Sequence, residues 1–130
     1  MQRTNFDSGT QWESSVGYSR AVRVGQTIEV SGTVAVDDSG QLIGEGDAYL
    51  QTCFIIKKIE AVLLQAGANL QHVVRTRMFV TDISQWEAYG RAHGEAFAHI
   101  RPCTSMIEVK SLIRPEYLIE IEVTAICTPS

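Results

Sequence analysis

Two carboxylates near the C-terminus have the type and spacing that proton transfer requires. Glu120 and Glu122 alternate with Ile119, Ile121 and Val123, so a strand would place both carboxylates on one face, roughly 7 Å apart. In a cleft, partial burial and mutual repulsion would raise the pKa of at least one of them, which suits general acid–base chemistry. The same alternation is typical of the polar side of an ordinary strand whose glutamates pair with Arg or Lys. The pattern alone leaves both interpretations open.

The histidines and glycines form no motif for a metal or for an activated nucleophile. His93 and His99 are six residues apart with Glu95 between them. This spacing is not H-E-x-x-H and does not place both imidazoles on one helical face. The chain contains no G-x-S-x-G sequence and no glycine-rich phosphate loop. We therefore expect no metal site.

Length and charge exclude several classes of protein. The 130 residues suffice for one hydrophobic core, and we assign residues 1–130 to a single domain. Eleven Lys and Arg against fifteen Asp and Glu give a net charge of −4, which argues against nucleic acid as a partner. The apolar runs are only a few residues long, whereas a membrane-spanning helix needs about 20. The N-terminus lacks an apolar segment resembling a signal peptide, so we expect a cytoplasmic protein without membrane contact.

The first third of the chain predicts short strands. Residues 1–15 are polar and weakly patterned, which indicates an arm or a loop. Residues 18–30 alternate on both sides of Gly25 and predict a hairpin. Ser31-Gly32 indicates a bulge or a close backbone approach, and residues 34–36 are predicted to continue the strand.

Two later segments predict helices. Asp47 is suited to cap a helix whose apolar side chains recur at helical spacing up to Gly67. Ser84-Gln85-Trp86-Glu87 has the S-x-x-E form of a capping box, so a second helix should follow and stop before Pro102. The remaining segments rich in β-branched and aromatic residues predict strands. These strands cover residues 72–81, 104–109 and 118–127.

The predicted order is β-β-(β)-α-β-α-β-β, an α+β arrangement with two helices on one face of a mixed sheet. The strand segments VVRTRMFV and SMIEV carry apolar residues at both parities. A sheet that is apolar on both sides, with helices for only one side, needs a second partner for the other. The economical partner is the same face of identical subunits, which predicts a homo-oligomer.

Five segments carry a family resemblance: VRVGQTIEVSG, LLQAG, RTRMFVTDISQW, GEAF and RPCTSMIEVKSLIRPEYLIEIEVTAI. In this order they resemble the Rid family, the YjgF-like reactive intermediate deaminases, over about residues 17–127. The resemblance implies a chorismate-mutase-like α+β fold and a homotrimer whose three sheets form a central barrel, with a cleft at each subunit interface. It also implies hydrolysis of small enamines or imines such as 2-aminoacrylate, without a metal or cofactor.

The resemblance assigns site residues position by position. Glu120 falls on the family's catalytic glutamate, and Tyr18 falls on its cleft tyrosine. Ser31-Gly32 matches the Ser-Gly pair that ends an early strand. Met106 replaces a cleft cysteine that works through its backbone. These residues are therefore expected to line the cleft with Glu120 as the catalytic residue.

The main departure is Thr104, which stands where the family has the arginine that holds the substrate carboxylate. A guanidinium makes a bidentate charged contact worth roughly 1.5–3 kcal/mol per hydrogen bond, against about 1 kcal/mol for a neutral hydroxyl. Carboxylate binding is therefore expected to weaken by an order of magnitude or more. Thr104 and Ser105 remain candidates to hydrogen-bond a carboxylate or carbonyl. Arg91, where some relatives carry a cleft asparagine, is a candidate to restore the positive charge.

These assignments lead to three hypotheses about function. The first is a Rid-like hydrolase acting on a small imine, enamine or related metabolite, with poor activity on 2-aminoacrylate. The second is a non-catalytic trimer that binds a metabolite or a partner protein. The third is a ribonuclease, an activity attached to some family members, against which the net charge of −4 argues.

Overall fold

The structure, a computed structural model, describes residues 1–127. Within these residues six strands form one mixed sheet, and three α-helices and two short 3-10 helices connect them. The strands are β1 (Arg3–Phe6), β2 (Ala21–Val24), β3 (Thr27–Thr33), β4 (Val73–Val80), β5 (Cys103–Glu108) and β6 (Ile119–Ile126). The helices are α1 (Gln11–Val16), α2 (Ala48–Gln65) and α3 (Trp86–Phe97), with 3-10 helices at Leu70–His72 and Ile83–Gln85.

The strand order across the sheet is β1-β2-β3-β6-β4-β5. All neighbours pair antiparallel except β4 and β5, which run parallel because the chain crosses over through α3 between them. The C-terminal strand β6 therefore lies in the middle of the sheet, between β3 and β4. This arrangement confirms the predicted α+β class and mixed sheet.

Helices α2 and α3 pack together, and α2 lies against β3 and β6. Asp47 caps α2 by accepting a hydrogen bond from the backbone N–H of Leu50 at 3.0 Å, as predicted. Gly67 follows the helix with a φ of +90°, which a side-chain-bearing residue rarely adopts. The core between helix and sheet consists of fully buried aliphatic side chains, including Ile28, Ile55, Ile59, Leu63 and Ile121.

The opposite face of the sheet is more polar than we predicted from the apolar residues that alternate positions of the strands place on both faces. Arg77 and Glu122 lie opposite each other on β4 and β6, form an ion pair at 3.7 Å and keep about two-fifths of their side-chain surface exposed. Apolar side chains on this face include Val24, Ile107 and Ile126, each more than one-third exposed. The predicted burial of this face between subunits stays a prediction.

The N-terminal segment is folded, which corrects the expectation of an arm or loop over residues 1–15. Strand β1 pairs antiparallel with β2, and α1 follows it. Buried Glu13 accepts hydrogen bonds from the backbone N–H and the hydroxyl of Ser8, at 3.0 and 2.5 Å. Main-chain pairing, this carboxylate and the packing of Phe6 against the core hold the segment. One apolar side chain in a polar stretch gives no periodicity from which a strand could be predicted.

Two further local expectations were wrong. Residues 34–36 do not continue the strand, because only an isolated bridge between Val36 and Leu42 forms there. The predicted capping box at Ser84 is absent: α3 begins at Trp86, and Asp82 instead caps the preceding 3-10 helix by accepting from the Ser84 N–H at 3.0 Å. Within residues 1–127, no helix combines the length and the apolar character needed to cross a bilayer.

We expect Gln51→Leu to lower the free energy of unfolding by roughly 2–4 kcal/mol. Gln51 is fully buried, accepts from the Leu118 N–H at 3.0 Å and donates to the carbonyls of Gly44 and Glu116 at 3.1 Å. Leucine fills the space but leaves these three backbone groups unpaired. Urea denaturation measures the loss. A matched control, Leu64→Ala on the exposed side of the same helix, should change stability by less than about 0.5 kcal/mol; an equal loss in both variants would contradict this account.

Candidate functional site

The candidate site residues form two separate groups within one chain. The first group contains Tyr18, Ser31, Gly32 and Glu120, near the N-terminal end of β2 and the junction of β3 with β6. The second group, on β5, contains Thr104, Ser105 and Met106.

Sheet geometry keeps the two groups apart. Glu120 of β6 pairs with Phe79 of β4, and Phe79 pairs in turn with Ile107 of β5. Thr104 therefore lies two strand spacings across the sheet and three residues along it from Glu120, each about 10 Å. Its side chain also points to the other face, since it shares the face of Thr76. A site that uses both groups cannot come from one chain.

In the first group, the carboxylate of Glu120 lies directly against Gly32. The pairing of β3 with β6 shifts register between Val30 and Thr33, as expected for the predicted bulge or close approach. A Cβ at Gly32 would overlap Oε2 of Glu120 and would lie 2.8 Å from its Cδ. Only glycine therefore leaves room for the carboxylate in its present position.

Arg20, which sequence analysis did not select, joins the first group. Its Nη2 donates to the Gly32 carbonyl at 2.5 Å, and its buried Nε has no hydrogen-bond partner within residues 1–127. The Ser31 hydroxyl donates to the Ser19 carbonyl at 2.6 Å, and the Ser31 N–H donates to the Arg20 carbonyl at 3.0 Å. These bonds tie the β3 bulge to the segment that follows Tyr18.

The two carboxylates of β6 lie in different electrostatic surroundings. Burial raises the pKa of the Glu120 carboxyl, nearby Arg20 opposes this rise, and repulsion from Glu122 adds to it. Glu122 forms the ion pair with Arg77. The predicted alternation and the direction of the pKa shift are thus both present, and Glu120 is the carboxylate whose proton is held more tightly than usual.

Tyr18 and Ser31 line an open groove of about 370 Å³, together with Arg3, Val22 and Glu122. The Tyr18 N–H donates to the Glu13 carbonyl at 2.9 Å, so the end of α1 fixes the start of the Tyr18 segment. A neighbouring cavity of about 440 Å³ lies between this segment, β1 and α1, and Tyr18 lines it as well. The N-terminal segment therefore forms a wall of a groove that includes Tyr18, Ser31 and Glu122 but neither Glu120 nor Gly32.

In the second group, Thr104 belongs to a polar network beneath its strand. Parallel pairing places Thr104 beside Thr76, Ser105 beside Arg77, and Met106 beside Met78. The hydroxyls of Thr104 and Thr76 are 2.8 Å apart, and Nε2 of His93 lies 2.9 Å from the Thr76 hydroxyl. This places Thr104 and Met106 on the helix-covered face and Ser105 on the opposite one.

His93 is the functional candidate that sequence reasoning missed. Its spacing to His99 was tested only for a metal motif, and its neighbours Thr76 and Thr104 become visible only once the parallel register is known. Among residues 1–127, no group of three or more His, Cys, Asp or Glu side chains is placed to hold a metal ion.

Arg91 belongs to neither group. It is exposed on α3, with its guanidinium 4.2 Å from the centroid of the Tyr49 ring on α2. The Tyr49 hydroxyl donates to the Glu95 carboxylate, and this bond raises the pKa of Tyr49 to about 12. Arg91 thus contacts the α2–α3 surface within its own chain.

We expect Glu120→Gln to raise the melting temperature at pH 7. The folded-state pKa of Glu120 lies above its unfolded value, so the ionised form costs stability at neutral pH, and this cost disappears as pH falls through the raised pKa. The gain of the variant should therefore shrink on acidification. Thermal unfolding across a pH series measures it. Glu122→Gln, which removes the exposed Arg77 pair, should show no such gain; equal gains in both variants would contradict the assignment.

Comparison with known proteins places the chain in a family. The family model described as Endoribonuclease L-PSP matches residues 9–127. The uncharacterised protein SCO2049 of Streptomyces coelicolor is 36% identical over 118 residues, which cover 91% of this chain and 87% of that protein. The 3-aminoacrylate deaminase RutC of Acinetobacter baylyi is 30% identical over 104 residues, covering 80% of this chain and 82% of RutC.

A solved structure agrees with these relatives. Rv2704 of Mycobacterium tuberculosis, described as a member of the YjgF/YER057c/UK114 family, superposes with a TM-score of 0.87 at 48% identity, covering 97% of this chain and all of that one. The family match, the relatives and the shared fold agree over almost the whole chain. The chain therefore belongs to the YjgF/Rid family.

Proposed function

We propose that the protein is a cytoplasmic homotrimeric hydrolase that deaminates a small imine or enamine in clefts between its subunits. Glu120 acts as the acid and base, and Tyr18, Ser31 and Gly32 line its side of the cleft. The observation that carries the proposal is the Glu120 carboxylate, partly buried against Gly32 with its pKa raised. The relative RutC, a 3-aminoacrylate deaminase by name, supports the same reaction class.

The chemistry needs one group that can both give and take a proton near neutral pH. In its neutral form, Glu120 protonates the enamine carbon and produces an iminium ion. Its carboxylate then takes a proton from the water that adds to the iminium carbon. Collapse of the resulting carbinolamine forms the carbonyl and releases ammonia. A raised pKa keeps a larger share of Glu120 protonated at neutral pH, which favours the first step.

The proposed trimer brings the two groups of site residues together. One subunit contributes Glu120 and Tyr18, and its neighbour contributes the β5 group with Thr104, Ser105 and Met106. This arrangement is supported by the separation of the groups within one chain and by the partly apolar open face of the sheet. Thr104 in the place of an arginine supplies a hydroxyl in place of a cation, which favours a substrate with less anionic character than 2-aminoacrylate.

A non-catalytic trimer that binds a metabolite is the second candidate, and the replacement of the arginine by Thr104 favours it. The family name, Endoribonuclease L-PSP, makes ribonuclease activity a third candidate. The net charge of −4 and the acidic side chains Glu29 and Glu122 on the groove argue against RNA binding. RNA cleavage by pure protein that is lost in a cleft variant would favour the ribonuclease.

We expect Glu120→Gln to lower kcat/KM for a turned-over enamine by about 10²–10⁴, because glutamine cannot transfer the proton. Ammonia release from 3-aminoacrylate and 2-aminoacrylate, each generated in situ, measures it. Glu87→Gln, which changes an exposed carboxylate on α3 outside both groups, is the control and should keep activity within about threefold. For 2-aminoacrylate, the wild type should be about tenfold or more slower than an arginine-containing relative.

Two outcomes would contradict the proposal. Unchanged turnover in Glu120→Gln would remove Glu120 from the chemistry. Turnover of 2-aminoacrylate equal to that of an arginine-containing relative would show that Thr104 does not weaken binding of the substrate carboxylate.

A further inference from the structure

The hydroxyl of Thr104 does not stand alone in the place of the family arginine. It lies 2.8 Å from the hydroxyl of Thr76, a fully buried residue of β4, which in turn lies 2.9 Å from Nε2 of His93 on α3. Thr104 itself is exposed, 3.4 Å from the same imidazole nitrogen and 3.2 Å from the Pro102 carbonyl. An exposed hydroxyl is thus connected to an imidazole through one buried hydroxyl.

The two hydrogen bonds that connect Thr104, Thr76 and His93 can be oriented in either direction. Each threonine hydroxyl donates one proton. If Nε2 of His93 is unprotonated, Thr76 donates to it and accepts from Thr104, which then presents only lone pairs to a ligand. If Nε2 carries a proton, His93 donates to Thr76, Thr76 donates to Thr104, and the Thr104 proton is left for a ligand in place of the Pro102 carbonyl, to which it donates at 3.2 Å in the free protein. Protonated His93 donates from Nε2, whereas neutral His93 accepts there in its Nδ1–H tautomer, so the exchange between these two forms decides whether Thr104 donates or accepts.

We propose that His93, acting through Thr76, is the specificity-determining residue of the Thr104 group: neutral His93, as its Nδ1–H tautomer, selects an uncharged ligand, and protonated His93 admits a small carboxylate. The inference rests on the proposed function only in taking the Thr104 group as part of the ligand site. It extends that function by naming the substrate class: at neutral pH the site takes a ligand whose N–H donates to Thr104.

The surroundings of His93 support the neutral form at neutral pH. Burial lowers the pKa of His93, and no charged group contributes to that shift. The groups that face the ring are the hydroxyl of Thr76 from β4, the hydroxyl of Thr104 from β5, and the Phe97 ring of α3, with centroids 4.7 Å apart. Among residues 1–127, no carboxylate contributes to the titration of this imidazole.

The two states are linked to ligand binding. If carboxylate binding requires protonated His93, the apparent Kd rises about tenfold for each pH unit above the His93 pKa. By reciprocity, a bound carboxylate raises the pKa of His93. An uncharged amide of the same shape produces neither effect.

Nitrogen NMR of the full-length protein with labelled histidines tests the proposal directly. Propionate is the probe, propionamide is its uncharged control, and a His93→Gln variant assigns the His93 signals. We expect propionate to raise the pKa of His93 and propionamide to leave it unchanged. The signals of His72 and His99 serve as internal references and should not respond to either compound.

Variants of Thr76 separate the relay from simple proximity. Thr76→Val keeps the shape but removes the connecting hydroxyl, so the shift that propionate causes in the His93 titration should fall well below the wild-type shift, to what the direct 3.4 Å contact of Thr104 with His93 transmits. Thr76→Ser keeps a hydroxyl and should retain the effect. The proposal is overturned if propionate leaves the His93 titration unmoved in the wild type, if propionamide moves it equally, or if Thr76→Val responds like the wild type. None of these results depends on catalysis by Glu120, so a failed deaminase assay leaves this test intact.

Discussion

The contact between the Glu120 carboxylate and the backbone of Gly32 is the constraint on which the candidate site depends. A buried carboxylate is costly unless charges or hydrogen bonds compensate it, and here Arg20 opposes the effect of burial only in part. The side chain keeps its position because the β3 bulge presents a residue without a Cβ. A carboxylate held in this way retains its proton more readily than an exposed one, which is the property that enamine hydrolysis requires.

The mixed sheet explains why the remaining candidate residues lie elsewhere. Insertion of β6 between β3 and β4 brings Glu120 beside the β3 bulge, whereas the crossover through α3 carries Thr104 to the far edge. The proposed trimer joins these two ends of the sheet across a subunit interface. The chemistry of one cleft is then divided: a carboxylate from one subunit, and a hydroxyl linked to His93 from the next.

Local sequence patterns predicted much of the fold and part of the geometry of the candidate site. The Asp47 cap and the close approach at Gly32 follow from residue type and spacing, and so does the common face of the β6 glutamates. Strand β1 could not be predicted, because its polar residues are held by main-chain pairing and carry no periodic apolar signal. The neighbourhood of Thr104 could not be predicted either, since the register of two parallel strands is a tertiary property that leaves no local pattern.

Mixing subunits tests the division of the site between chains most directly. Glu120→Gln and Thr104→Trp each disable every cleft when present alone, the first by removing the acid and base and the second by filling the ligand position beside residue 104. When the two inactive variants are unfolded, mixed in equal amounts and refolded together, the account predicts recovery of about a quarter of wild-type activity, because that share of clefts pairs an intact Glu120 with an intact Thr104 from the neighbour. Mixtures that stay as inactive as the separate variants, although subunit exchange is verified by mass, would contradict it.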